Sequence, residues 1–143
     1  MPFRLPWEFM APDIIILELL LPYCWNIVGL GLKEMSLSSS AIQRVEDLVM
    51  KYPKYPGRRD LFALSLAIEE EAILLTGDEA LRKAAIQEGV PAHGTLWLLQ
   101  NMVSGGAISE AEGHAGLSRM LTAGRRLPKK ETQELLGSWD PMR

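Results

Sequence analysis

The sequence predicts an α/β fold, three layers built on a mainly parallel sheet and followed by a helical C-terminal extension. Short apolar runs of strand length alternate with amphipathic helical patterns along the first two thirds of the chain. The run from Ala72 to Thr76 is apolar until its end and closes in Gly77-Asp78, the pattern of a buried parallel strand with a polar carboxyl edge. Beyond Gly94 the periodicity is helical only. With 143 residues, 48% of them hydrophobic and 23% charged, one domain of ordinary globular composition is expected, with an α/β core to about residue 95 and C-terminal helices from about 96 to 143.

The elements follow in order. Glu8 to Ala11 reads as a short strand, and Pro12-Asp13 turns it into a helix that carries Glu18 and stops before Pro22. Alternation around Lys33 to Leu37 suits a second strand. Ser39 or Ser40 then caps a helix whose apolar stripe is Ile42, Val45, Leu48 and Val49. Pro53, Pro56 and Gly57 forbid its continuation, and a new helix opens at Asp60 with Leu61, Leu64, Ala67 and Ile68 at helical spacing. After the strand at Ala72 to Thr76, Asp78 opens a helix to Glu88, Gly89 ends it, and Val90 to His93 forms another strand. Helices from Leu96 to about Val103, Ser109 to Thr122 and Pro128 to Trp139 complete the chain.

Several function classes fall at once. The single cysteine, Cys24, forms no intrachain disulfide, and neither His93 nor His114 belongs to a zinc-spaced cluster. The longest apolar run, Ile14 to Trp25, is broken by Glu18 and Pro22 and is shorter than the ~20 residues of a membrane span. No secretory signal is visible, so a cytoplasmic protein is expected. A net charge of −3 argues against a generally basic, DNA-coating surface. The positive charges are nevertheless clustered: Lys51, Lys54, Arg58 and Arg59 in one loop, and Arg125, Arg126, Lys129 and Lys130 near the C-terminus. Either cluster alone is explained by a solvated surface.

Ligands of an open parallel sheet bind beyond the carboxyl ends of its strands, and Asp78 and Asp60 both stand at helix entrances there. Alone, each is a capping residue. Together with Glu18, in the helix after the first visible strand, they form a set of carboxylates whose mutual repulsion a hard divalent cation, Mg²⁺ or Mn²⁺, would relieve. The neighbouring Lys51, Lys54, Arg58 and Arg59 would then bind phosphate oxygens on either side of a cut.

These residues resemble the PIN domains. The resemblance lies in Ile73-Leu74-Leu75-Thr76-Gly77-Asp78 with Leu81-Arg82, in Asp60-Leu61-Phe62-Ala63-Leu64 with Ala67, and in Ala11-Pro12-Asp13 leading to Glu18-Leu19. The segments His93 to Leu99, Gly106 to Ser109 and Gly124 to Pro128 are similar to a prokaryotic branch with a helical C-terminal extension, so the likeness runs from about Leu5 to Trp139. It implies a Mg²⁺- or Mn²⁺-dependent ribonuclease that hydrolyses RNA phosphodiester bonds, many prokaryotic members being the toxin of a toxin–antitoxin pair. By position, Glu18, Asp60 and Asp78 match the family's second, third and fourth acids as metal ligands, and Thr76 matches the hydroxyl residue before the last aspartate. For Thr76, polarising a water and satisfying a strand end are alternative roles.

The family's first strand and its aspartate have no counterpart, since Met1 to Trp7 leaves no room for them. That strand lies mid-sheet, so without it the strands near Glu8 to Ala11 and Ala72 to Thr76 each have an unpaired edge, unless they pair directly or another copy supplies a strand. A second reading follows: a truncated or degenerate PIN-like module that binds RNA or protein without cutting. The apolar stripes Leu98, Leu99 and Met102 and Leu117, Met120 and Leu121, with Trp139, suit either intrachain packing or an interface with an antitoxin or, in a homodimer, a second copy.

Overall fold

A computed structural model describes residues 7–12, 32–124 and 126–142. Their contacts divide into two compact units, one from Trp7 to Gly94 and one from Thr95 onward. The first holds strands β1 (Met10–Pro12), β2 (Lys33–Met35), β3 (Leu74–Leu75) and β4 (Ala92–His93) and helices α1 (Ser39–Lys51), α2 (Arg58–Glu69) and α3 (Glu79–Gln87). The second holds α4 (Thr95–Ser104), α5 (Glu110–Thr122) and α6 (Lys129–Ser138).

Both strand pairs are parallel, as the sequence predicts for an α/β fold. β1 pairs with β2, placing Ala11 opposite Glu34, and β3 pairs with β4, placing Leu75 opposite His93. Two further bonds, from Leu74 N to Pro91 O and from Thr76 N to His93 O, both 2.9 Å, carry the second pairing on both sides of β3. Among the described residues the four strands form two separate two-stranded sheets, and β1 and β3 are not paired with each other. The strands are shorter than their apolar runs, because only residues facing a partner's N–H and C=O groups enter a ladder.

The core of the first unit shows why these helices form. Val45 and Leu48 of α1, Leu61, Leu64 and Ala67 of α2, Leu74 of β3, Leu81, Ala84 and Ala85 of α3, and Val90 pack into one buried cluster. Each large aliphatic side chain so buried contributes roughly 1.5–3 kcal/mol relative to exposure. Ser65 is fully buried among them, and its hydroxyl donates to Ala41 O at 2.7 Å, so the close approach of α2 to α1 strands no polar group.

Helix ends differ from expectation by a residue or two. The cap of α1 is Ser38, whose Oγ accepts from Ala41 N at 3.1 Å. α2 starts at Arg58 with Gly57 as its N-cap, which puts Asp60 in the first turn rather than at the boundary. Beyond its other end, Glu71 takes a left-handed φ of 51° and Ala72 N returns to Ala67 O at 2.9 Å, turning the chain toward β3. Ile42, placed on the buried stripe of α1, is 45% exposed, and Ala41 takes the buried position instead.

In the second unit, Ser109 and Glu112 form a reciprocal capping box at the start of α5. Leu96, Leu99 and Met102 of α4, Leu117 of α5, Leu135 of α6, and Trp139 are buried. Of the other stripe residues, Leu98 and Met120 are half-buried and Leu121 is 38% exposed. Among the described residues no helix is long and apolar enough to cross a membrane.

Candidate active site

α2 packs against β1, β3 and α3, and Asp60 in its first turn is within reach of the charge of Asp78 beyond the end of β3. Asp78 leaves β3 two residues after Thr76 and becomes the N-cap of α3, with Oδ1 accepting from Leu81 N at 3.1 Å. Thr76 Oγ1 accepts from Asp78 N at 3.0 Å, a turn that fixes where the aspartate leaves the strand. Asp60, third residue of α2, accepts a hydrogen bond from the N–H of Gly57. Both aspartates therefore have capping roles, as either alone would suggest.

Their electrostatics go beyond capping. Burial pushes the Asp60 carboxyl above the ordinary aspartate value, and the negative charge of Asp78 pushes it further, opposed only by the Gly57 N–H. The two carboxylates thus share one electrostatic environment at the strand end. Asp78 is exposed while Asp60 is half-buried, so the pair opens to solvent on the Asp78 side.

Two of the three predicted metal ligands are brought together in this way, with Thr76 beside them. Glu18 lies outside the described residues, as does the predicted helix that carries it. Among the described residues, no group of three or more His, Cys, Asp or Glu side chains gathers at metal-binding range.

Two of the four residues of the predicted phosphate-binding cluster, Lys51 and Arg58, form ion pairs. Lys51 Nζ lies 2.7 Å from Glu88 Oε2, which also accepts from Tyr52 Oη at 2.8 Å. That clasp ties the end of α1 to the end of α3; burial and the bond to Glu88 push the Tyr52 phenol up to about 12. Arg58 forms an ion pair with Glu46 and lies over the Phe62 ring at 5.8 Å. Its hydrogen bond holds the Glu46 carboxyl below the usual range. Lys54 and Arg59 are exposed.

One basic residue that sequence reasoning left without a role also lies at the strand ends. Arg82 follows Asp78 by four residues on α3, and a methyl group placed on Gly94 would lie 3.4 Å from Arg82 Nη2 and 3.5 Å from Thr76 O. The i, i+4 spacing from an N-cap aspartate was the available signal.

A family model described as a PIN domain matches residues 36–141. No curated protein and no solved structure matches the chain. The matched span includes Asp60, Thr76 and Asp78 together with all three C-terminal helices, and PIN domains are in general nucleases that use divalent metals. The chain belongs to the PIN-domain family.

Proposed function

We propose that this protein is a metal-dependent ribonuclease that hydrolyses RNA phosphodiester bonds, with Asp60, Asp78 and Glu18 as its acids. The observation that carries the reading is the convergence of Asp60 and Asp78 at the carboxyl end of β3, close enough that the charge of one hinders ionisation of the other. Two hard carboxylates in that relation suit Mg²⁺ or Mn²⁺ better than a softer metal. When bound, such an ion lowers the pKa of water and offsets charge on a phosphodiester.

The chain's own residues supply the rest. Gly57 N–H and Leu81 N–H hold the two carboxylates by one oxygen each, leaving other lone pairs for a ligand. Thr76, already accepting from Asp78 N, orients that aspartate and retains its hydroxyl proton for a water or substrate oxygen. The toxin role, with an antitoxin partner, homodimer formation and a cytoplasmic site of action, is part of the proposal and rests on the resemblance to the prokaryotic branch.

The test is cleavage of single-stranded RNA in Mn²⁺ and in chelator, with Asp60→Asn and Asp78→Asn alongside wild type. Cleavage is expected to require both Mn²⁺ and each aspartate, while the asparagine variants keep their folds because asparagine caps a helix about as well as aspartate. Cleavage that survives in both variants would falsify the assignment. RNA binding by a folded wild type without turnover would favour the non-catalytic module.

A further inference from the structure

We propose that Arg82 binds a phosphodiester oxygen of the RNA backbone at this site; the location of the substrate rests on the function proposed above. Asp78 caps α3 and Arg82 follows it by four residues, so both belong to the end of α3 that meets β3. The guanidinium reaches the β4 side of that end, against Gly94 and beside the Thr76 carbonyl.

Its hydrogen bonding is incomplete. Arg82 Nε is buried and has no partner among the described residues. Arg82 also forms no ion pair with a described carboxylate, whereas Lys33, Lys51, Arg58 and Lys83 each do. A buried guanidinium N–H without an acceptor is costly, and because Nε is covered, a phosphate oxygen meets this guanidinium at its terminal Nη groups. Arg44 Nη1 shares the deficit, but it lies on α1 and not on the helix that Asp78 caps.

Electrostatics select the occupant. An acidic pair repels an anionic backbone, so a site built on Asp60 and Asp78 needs a fixed cation to hold phosphate nearby. Lys51 and Arg58 are engaged by Glu88 and Glu46. Arg82 has no such carboxylate partner among the described residues, and the planar fork of a guanidinium matches two phosphate oxygens at once. A carboxylate ligand would present similar geometry but carries no repeating charge, so the salt dependence of binding distinguishes it from a nucleic acid.

The experiment measures anisotropy of a labelled single-stranded oligoribonucleotide in chelator, at several KCl concentrations, for wild type, Arg82→Gln and Arg82→Lys, with a thermal melt of each. Arg82→Gln is expected to weaken binding about tenfold or more and to flatten the slope of log affinity against log salt by about 0.7, the loss of one phosphate contact on a single strand. Arg82→Lys is expected to keep the slope while losing several-fold affinity, because charge survives and the fork does not; it decides the matter if the glutamine variant fails to fold. Wild-type affinity and slope in both variants, or no RNA affinity in the wild type, overturns the proposal. Cleavage in Mn²⁺, assayed separately, keeps the two readings apart. An Arg82-dependent slope without cleavage refutes the nuclease and leaves the contact standing, whereas cleavage with a slope and KM indifferent to Arg82 refutes the contact alone.

Discussion

Asp60 keeps its proton to a higher pH than an ordinary aspartate because half-burial and the Asp78 charge both disfavour its carboxylate. Its contribution to stability has a definite sign. Between the ordinary aspartate value, 3.8, and the raised value in the fold, the folded chain holds a proton that the unfolded chain has released. Stability therefore falls as pH rises through that window. Asp60→Asn keeps an oxygen for the Gly57 N–H and removes the titration. Relative to that variant, the wild type is expected to be most stable in acid and to lose ground toward neutrality, read from thermal melts across the carboxylate range. The opposite trend would mean that a favourable partner, rather than burial and Asp78, dominates the carboxyl. At this scale the two aspartates were legible in the sequence because helix entrances after strands are local features. The fates of Lys51 and Arg58 were not, because Glu88 and Glu46 are 37 and 12 residues away in sequence and only packing brings them close.

Helix α5 offers an internal comparison between two glycines three residues apart. A methyl group on Gly113 would meet Val103 Cγ2 at 2.8 Å and the Trp139 ring at 3.1 and 3.2 Å, while one on Gly116 meets nothing within 4 Å. Overpacking of this kind costs about 1–3 kcal/mol, against about 1 kcal/mol gained when alanine replaces a helical glycine. Gly113→Ala is therefore expected to lower the unfolding free energy by up to about 2 kcal/mol, and Gly116→Ala to raise it by up to about 1 kcal/mol. Denaturant titration checks both, and equal effects would mean that α5 is not held against Trp139 as described. Elements of this kind were legible wherever the signal was local: Ser109 with Glu112, or Pro128 ahead of α6, mark helix starts by their own chemistry. The division of the strands into two pairs was not visible in any strand's composition. The apolar run from Ala72 to Thr76 shows that its residues seek burial, but only two of them, Leu74 and Leu75, enter the ladder with β4.

For the RNA substrate and cation proposed above, the net charge of −3 opposes the RNA backbone at long range, so attraction is expected to be local and its strength set by what fills the acidic pair. That makes cation binding and folding linked quantities. A cation held by Asp60 and Asp78 binds only the folded chain, because α2 and β3 must pack to bring Asp60 within reach of the charge of Asp78. It then stabilises by about 2.7 kcal/mol at a hundredfold excess over its Kd. For a chain of this length that corresponds to a rise in Tm of roughly 10 °C. Mn²⁺ is expected to produce a saturable rise in the wild type and little or none in Asp78→Asn, whose cap and fold persist. Asp78→Asn also removes the charge that pushes the Asp60 carboxyl up, so in chelator the variant should melt no lower than the wild type. A Mn²⁺-dependent rise of equal size in both proteins would place the cation elsewhere. A rise confined to the wild type would tie metal, the acidic pair and the packing of α2 on β3 into one equilibrium, independently of whether any RNA is cut.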